Sequence, residues 1–229
     1  MQTMTEIKRV NFDEYADHYE NLLQGQLAFF SKDRGYFSEY KVALAKEFAP
    51  ISPKRVLDFG CGIGLSLPFL IRYFPDAKVF ATDLSERSLA HVEQYFPEVT
   101  VHRDKALDGN SYDIIFVSGV FHHVPRQQRG IVMKRLEGLL TTGGQLFVFE
   151  HNPFNPVTRR MVATCPFDED AELITYRNMK QLVRESGGLQ ILANGYCLFF
   201  PQSLSGLRHL EKFLRWLPGG GQYFVVGSK

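Results

Sequence analysis

The chain has 229 residues, of which 45% are hydrophobic and 22% are charged, and its formal net charge is +1. These values are typical of a globular protein with a sizeable core, and the small net charge argues against nucleic acid as the main partner. The three cysteines Cys61, Cys165 and Cys197 form no CxxC pair, which favours a reducing compartment and gives no zinc pattern. No apolar run suits a signal peptide or a membrane span, so we expect a cytoplasmic protein.

Two helices are predicted before the first strand. Aromatic and leucine residues near the N-terminus, including Tyr15 and Tyr19, recur at helical spacing, and a second helix is expected from about Glu39 to Phe48. Tyr15 and Tyr19 either contact a ligand or simply dock their helix. We assign residues 1–50 to an N-terminal helical cap and residues 51–229 to the main domain.

From Arg55 the pattern alternates between short apolar strands and amphipathic helices. The predicted strands are 55–60, 78–83, 99–104, 112–120 and 145–151. Ser85 is expected to cap the helix after the second strand, and Gly143 and Gly144 to end a helix over 126–140. This rhythm predicts a parallel sheet with helices on both faces.

The last third of the chain departs from this rhythm. An irregular insertion at 152–174 is too long for an ordinary connection, which favours a functional lid. Its charged residues, which we expect to be solvated, are Arg159, Arg160, Asp168, Glu169 and Asp170. The elements predicted after it are a helix at 175–186, a strand at 189–200, a helix at 204–217 and a strand at 221–228. The two strands suit a sheet that ends in an antiparallel pair.

The turn after the first strand is rich in glycine. Gly60, Gly62 and Gly64 follow "RVLDF" at every second position, which opens the backbone to close approach by a ligand. Asp83 ends the second strand, where a carboxylate can accept hydrogen bonds from both hydroxyls of a ribose. Glycines alone would also suit a tightly packed turn without a ligand. Together with Asp83 they indicate a cofactor that contains a nucleoside.

The spacing in this turn separates two classes of nucleoside cofactor. In the dinucleotide fingerprint GxGxxG a third glycine would fall on Leu65, and Asp58 in the strand would repel a pyrophosphate. A cofactor with an ammonium group and no phosphate tolerates that carboxylate, and S-adenosylmethionine has both properties. A nicotinamide-dependent oxidoreductase is therefore the weaker alternative.

Four motifs in this order resemble those of class I S-adenosylmethionine-dependent methyltransferases. They are "VLDFGCGIG", "FATDLSERSLA", "YDIIFVSGVFHHV" of the small-molecule branch, and "LLTTGGQLFVFEH". The resemblance covers about 55–151 and gives only architecture beyond His151. It implies an α/β fold with a Rossmann-like, seven-stranded, mostly parallel sheet, helices on both faces and an antiparallel last strand.

The resemblance also implies the residues that bind the cofactor. Gly60, Gly62 and Gly64 would line its methionine end, which Asp58 would help to hold, and Ser118–Gly119 would lie beside the sulfonium.

At the nucleoside end, Asp83 would bind the ribose and Leu84 would pack on the adenine. Asp104 is the expected contact to the adenine amino group, with Asp108 as the alternative because "KALDGN" departs from the usual form of this motif. After transfer the product would be S-adenosylhomocysteine.

Catalysis by such a protein needs few reacting groups. Methyl transfer from a sulfonium is an in-line displacement, and positioning and exclusion of water supply most of the rate. A general base helps when the acceptor is a hydroxyl, and His123 and His151 are the candidate bases, with His122 a weaker one. If a histidine among these three is not a base, we expect it to be a hydrogen-bonded polar group in the wall of the pocket. Adjacent histidines do not chelate a metal without further ligands, so we expect no metal.

The expected acceptor is a small molecule or a headgroup methylated at oxygen, a choice that depends on the histidines alone. The alternative is a non-methylating S-adenosylmethionine-binding protein of the same fold. "SGVFHHV" lacks the Asn/Asp-Pro-Pro-aromatic form that enzymes acting on amino groups of nucleic acids use, which argues against a nucleic-acid methyltransferase.

The helix predicted at 204–217 has a basic side that allows two interpretations. It is either the solvent-exposed side of a helix packed on the sheet, or it meets a membrane surface or a lipid-linked acceptor.

Overall fold

The structure, a computed structural model, describes these residues: 35–50, 52–103, 107, 109 and 111–229. The predicted first helix, with Tyr15 and Tyr19, lies outside the described residues, and so do Asp104 and Asp108. The assignment of a separate N-terminal cap therefore stays a prediction.

The described residues form one seven-stranded sheet. Its strands are β1 Arg55–Phe59, β2 Lys78–Thr82, β3 Thr100–Val101, β4 Tyr112–Ser118, β5 Leu140–His151, β6 Gln190–Cys197 and β7 Gln222–Ser228. The order across the sheet is β3-β2-β1-β4-β5-β7-β6. Strands β1 to β5 pair in parallel, whereas β7 is antiparallel to both β5 and β6. The predicted fold class is confirmed.

Helices cover both faces of this sheet because successive strand residues point to opposite sides. The α-helices are α1 Tyr36–Phe48, α2 Leu67–Tyr73, α3 Glu86–Tyr95, α4 Arg129–Gly138, α5 Pro156–Ala163, α6 Tyr176–Glu185 and α7 Glu211–Leu214. Val56 faces a core built with α1, α2 and α3, and Leu57 faces a second core built with α4 and α6. Ser85 caps α3 as predicted, since its side chain accepts a hydrogen bond from the Ser88 N–H at 3.1 Å.

Two glycines lie inside β5, which corrects the prediction that they end a helix. A 3₁₀ turn at Arg126–Gln128 precedes α4, and α4 ends at Gly138. Strand β5 then runs through Gly143 and Gly144. Gly143 has φ +78°, and its N–H donates to the Lys229 carbonyl at 2.9 Å. The glycines therefore serve an irregular strand whose left-handed residue only glycine adopts without strain.

The predicted helix at 204–217 is wrong in type and extent. Residues Gln202–Leu210 form a 3₁₀ helix with a kink at Leu204, and only the four-residue α7 follows. A tertiary contact holds the first residue of α7, since the buried Glu211 carboxylate accepts backbone hydrogen bonds of 3.0 to 3.2 Å from Leu198, Phe199 and Phe200. These bonds fix the start of α7 to the end of β6.

The basic side chains of this C-terminal segment mostly contact the protein itself. The Arg208 guanidinium lies 3.9 Å from the ring centroid of Tyr36. Arg215 pairs with Glu47 at 2.6 Å, and Lys212 is exposed. The predicted basic face is therefore largely occupied by contacts to α1. Within the described part of the chain, the membrane-span criteria of length and apolarity are met by no helix.

The insertion at 152–174 contains the helix α5, so the prediction of an irregular segment is wrong. Asn155 caps this helix by accepting hydrogen bonds of 3.0 Å from the N–H groups of Val157 and Thr158, and Pro156 takes the first helical position. Both are strong start signals for a helix.

Candidate functional site

The turn after β1 needs glycine for two separate reasons. Gly60, Gly62 and Gly64 have φ values of +73°, +52° and +86°, which L-residues adopt at a cost. A Cβ atom on Gly60 would also lie 2.5 Å from Cγ2 of Val120, and one on Gly64 would lie 2.7 Å from Cδ1 of Leu67. Gly60 therefore packs tightly against the loop after β4, and Gly64 packs tightly against α2.

The second strand holds this turn in place. The N–H groups of Gly60 and Cys61 both donate to the Thr82 carbonyl, at 2.8 and 3.0 Å. Asp83 then bridges two loops, because one carboxylate oxygen accepts from the Gly62 N–H at 2.8 Å and the other from the Ser85 N–H at 2.9 Å. A carboxylate oxygen can accept more than one hydrogen bond, so these two contacts are compatible with hydrogen bonds from ligand hydroxyls.

An apolar surface adjoins this carboxylate. Leu84 follows Asp83 directly, and 85% of its surface is exposed. An exposed leucine beside a carboxylate that can hold a ribose suits the packing of a flat base. The positions of Asp83 and Leu84 support the roles that the resemblance implies.

A buried carboxylate lies below the glycine turn. Asp58 is 3% exposed, and among the described residues its Oδ2 atom has no hydrogen-bond partner. Burial raises the pKa of Asp58 to about 7, although the Lys41 ammonium opposes this rise. A buried oxygen without a partner is costly unless a ligand donates to it. Asp58 is therefore placed to accept from a ligand ammonium.

Lys41 is a candidate functional residue that was not predicted from the sequence. It lies on α1, and its Nζ donates to the Ser118 Oγ at 2.5 Å, beside the glycine turn. Burial lowers the pKa of Lys41, while Cys197, Asp58 and Glu150 oppose that change. One signal was available, since Phe37, Lys41, Leu44 and Phe48 share a helical stripe that is otherwise apolar.

The strand pairing brings Ser118 and Gly119 to the same edge of the sheet. Phe59 pairs with Val117, so the chain leaves β1 at Gly60 beside the point where it leaves β4 at Ser118. Gly119 has φ +71°, and its N–H donates to the Phe149 carbonyl at 2.9 Å. The two predicted residues therefore lie at the edge of the sheet between the glycine turn and β5.

A histidine and a glutamate fix the loop after β4. The Nδ1 atom of His122 lies 2.7 Å from Glu150, and both side chains are almost fully buried. The other oxygen of Glu150 accepts from the N–H groups of Val120 and Phe121, at 3.0 and 2.7 Å. Glu150 thus orients both the loop backbone and the imidazole.

The insertion brings two carboxylates to the same histidines. Asp168 Oδ1 lies 3.5 Å from Nε2 of His122 and 3.4 Å from Nε2 of His123, and Asp170 Oδ1 lies 3.3 Å from Nδ1 of His123. The prediction that Asp168 and Asp170 are solvated is therefore wrong, because these carboxylates pair with imidazoles. Glu169 is exposed, as expected.

The charges in this cluster separate the candidate bases. Burial opposes the charged form of His122, yet the Glu150 and Asp168 carboxylates raise its pKa well above the ordinary value, so His122 is protonated at neutral pH. Burial and the neighbouring His122 lower the pKa of His151 to about 4. His151 is therefore neutral at pH 7 and has a lone pair that can accept a proton.

The position of the lone pair on His151 depends on the orientation of the Gln222 amide, which contacts one of the two ring nitrogens. The Nε2 of Gln222 lies 3.4 Å from the His151 Nδ1, while its Oε1 is buried without a partner among the described residues. A 180° rotation of the amide lets Oε1 accept from an Nδ1–H and leaves Nε2 of His151 as the basic atom.

Comparison with known proteins agrees with this geometry. Residues 57–146 match the family model described as a methyltransferase domain. A trans-aconitate 2-methyltransferase of Rhodopseudomonas palustris is 31% identical over 122 residues, which are 51% of this chain and 46% of that protein. A malonyl-[acyl-carrier protein] O-methyltransferase of Bacillus cytotoxicus is 27% identical over 157 residues, 63% of this chain and 50% of that protein. The chain thus spans about half the length of the curated relatives that it matches.

A solved structure shares the fold over almost the whole chain. It is a Haemonchus contortus phosphoethanolamine N-methyltransferase 2 in complex with S-adenosyl-L-methionine, with a TM-score of 0.63 and 17% identity. The match covers 97% of this chain and 60% of that one. At this identity the likeness shows the fold alone, and it agrees with the strand order described above.

Proposed function

We propose that this chain, which carries a class I S-adenosylmethionine-dependent methyltransferase domain, moves the methyl group of that cofactor to an oxygen atom of a small-molecule acceptor. One observation carries the proposal. The glycine turn, the Asp83 carboxylate and the oppositely charged side chains of Lys41 and Asp58 meet at one edge of the sheet. The test is an assay with labelled methyl groups on a panel of hydroxyl and carboxylate acceptors.

Two opposite charges suit the amino-acid end of the cofactor. That end carries both an ammonium and a carboxylate, and S-adenosylmethionine supplies an activated methyl group on a sulfonium. The buried Oδ2 of Asp58, which has no partner within the described part of the chain, can accept from the ammonium, and the Lys41 Nζ can donate to the carboxylate. Because the ligand brings both charges, neither side chain is left uncompensated when it binds.

The remaining residues position the nucleoside and the acceptor. Asp83 would accept from the ribose hydroxyls, and the exposed face of Leu84 would pack on the adenine. The acceptor would enter beside Ser118 and Gly119, where His151 at the end of β5 can take a proton from a hydroxyl. These groups orient the acceptor, exclude water and hold the proton.

Two observations favour oxygen as the methylated atom. The first is the neutral imidazole of His151, which would assist a hydroxyl acceptor and is of little use to a carboxylate that is already ionised. The second is that the Bacillus cytotoxicus relative is an O-methyltransferase by its printed name. A cytoplasmic location and an acceptor on a lipid headgroup remain predictions.

Replacing Lys41 with methionine is expected to weaken S-adenosylmethionine binding by about 10- to 100-fold, because a charge-assisted hydrogen bond to the ligand carboxylate is lost. Isothermal titration measures the change. Methylthioadenosine, which lacks the amino-acid end, should bind the variant and the wild type equally. Lys46→Met is the matched control, since Lys46 is exposed on the same helix. Equal weakening with both ligands would contradict the assigned contact.

A further inference from the structure

Three ligand atoms converge beside the proposed acceptor entrance. The Nε2 atoms of His122 and His123 lie 3.5 and 3.4 Å from the same Asp168 oxygen. Potential ligand atoms of these three residues all lie within 4.8 Å of one another. A tetrahedral ion with bonds of about 2.1 Å separates its ligand atoms by about 3.4 Å. Both nitrogen–oxygen distances therefore match the edges of a small coordination sphere.

Each imidazole is also oriented by a carboxylate on its other nitrogen. Glu150 lies 2.7 Å from Nδ1 of His122, and Asp170 lies 3.3 Å from Nδ1 of His123. A carboxylate at Nδ1 holds a hydrogen on that atom, so Nε2 is the nitrogen that can bind a metal, and an ion bound there displaces the proton that the raised pKa of His122 keeps on the ring. This is the arrangement that metal-binding histidines commonly have, and it occurs here twice.

The balance of charge gives a further reason for a cation. Three carboxylates, Glu150, Asp168 and Asp170, surround two imidazoles, and their side chains are 1%, 8% and 12% exposed. Protonated His122 supplies one positive charge against these three carboxylates, and the remaining negative charge, so far from water, needs compensation. A divalent ion between Asp168 and the two Nε2 atoms supplies it at the centre of the cluster.

We propose that His122, His123 and Asp168 bind a divalent transition-metal ion, with Zn²⁺ the best match to two imidazoles and one carboxylate. The sequence predicted no metal because two adjacent histidines lack a third ligand, and the fold supplies that ligand from the insertion. Such an ion would join the insertion to the loop after β4, next to the acceptor entrance. This inference does not depend on the proposed methyl transfer.

The test is titration of untagged, chelator-treated protein with Zn²⁺ alone, followed by calorimetry, and with Co²⁺, followed by visible absorption. We expect one ion per chain and the intense absorption of tetrahedral cobalt. Asp168→Asn should weaken binding by at least 100-fold, and Asp170→Asn, which replaces the carboxylate at Nδ1 of His123, by about 10-fold. Thermal unfolding of each variant without metal shows whether it is folded.

The matched control is Glu169→Gln, which removes an exposed carboxylate between the two aspartates. It should bind Zn²⁺ as the wild type does. Absence of stoichiometric binding to the wild type would overturn the proposal. Equal binding by the wild type, Asp168→Asn and His123→Gln would overturn it too, since the ion would then be held elsewhere.

Discussion

Replacing Gly60 with alanine is expected to weaken S-adenosylmethionine binding by at least 100-fold. The new Cβ would lie 2.5 Å from Cγ2 of Val120, so the turn must move away from the loop after β4. It would also place a methyl group at a backbone position with φ +73°. Both effects displace the amide groups and the open backbone surface that the cofactor needs. Isothermal titration measures the loss.

Gly187→Ala is the control that distinguishes the effect of backbone strain from the effect of a disturbed cofactor site. Gly187 has φ +103° and open space around its Cβ position, so alanine there pays for the backbone conformation alone. This variant should bind the cofactor as the wild type does. If Gly60→Ala is poorly folded, the additional Val120→Ala change removes the clashing methyl groups and should restore folding. If Gly60→Ala binds S-adenosylmethionine within a few-fold of the wild type, the glycine turn is not part of the cofactor site.

His151→Gln is expected to lower kcat by about 100-fold for a hydroxyl acceptor, the contribution of a general base. Its affinity for S-adenosylmethionine should not change, because His151 lies on the acceptor side of the entrance. Initial rates with an acceptor from the labelled-methyl screen give kcat. His123→Gln provides the comparison for the second predicted base, and we expect a smaller loss because carboxylates flank both its nitrogens.

The pH dependence of the wild type gives an independent test of the same residue. Only neutral His151 can accept a proton, and its pKa is lowered to about 4. Activity should therefore be retained as the pH falls through 6.5, where an ordinary histidine becomes protonated, and decline only below about pH 5. Because the pKa of Asp58 is about 7 and its protonation would weaken cofactor binding, the profile is measured as kcat with saturating S-adenosylmethionine. A loss of kcat centred near pH 6.5 would contradict the assignment, and so would an unchanged kcat in His151→Gln.

The cofactor half of the site could be predicted because its signals are local in sequence. Gly60, Gly62 and Gly64 follow a buried strand directly, and Asp83 ends the next one. In a parallel sheet these two strand ends must meet at one edge, so spacing alone places the carboxylate beside the turn. The strand order confirms that reasoning.

The rest of the candidate site could not be predicted in the same way, because its contacts join distant segments. Lys41 reaches Ser118 only once α1 packs beside the sheet, and Asp168 reaches the two histidines only once the insertion folds back. The C-terminal segment shows the same effect. Its leucine spacing suits an α-helix, but the segment forms mainly a 3₁₀ helix, and Glu211 at the start of the four-residue α-helix accepts hydrogen bonds from the backbone at the end of β6.

The most direct measurement is isothermal titration of the wild type and of Asp83→Ala with S-adenosylmethionine and S-adenosylhomocysteine. We expect micromolar binding of both ligands at one site per chain. We also expect a loss of at least 100-fold in the variant, because Asp83 holds the Gly62 amide and would hold the ribose. If the wild type binds neither ligand and binds a nicotinamide dinucleotide instead, the assignment of S-adenosylmethionine as the cofactor is contradicted.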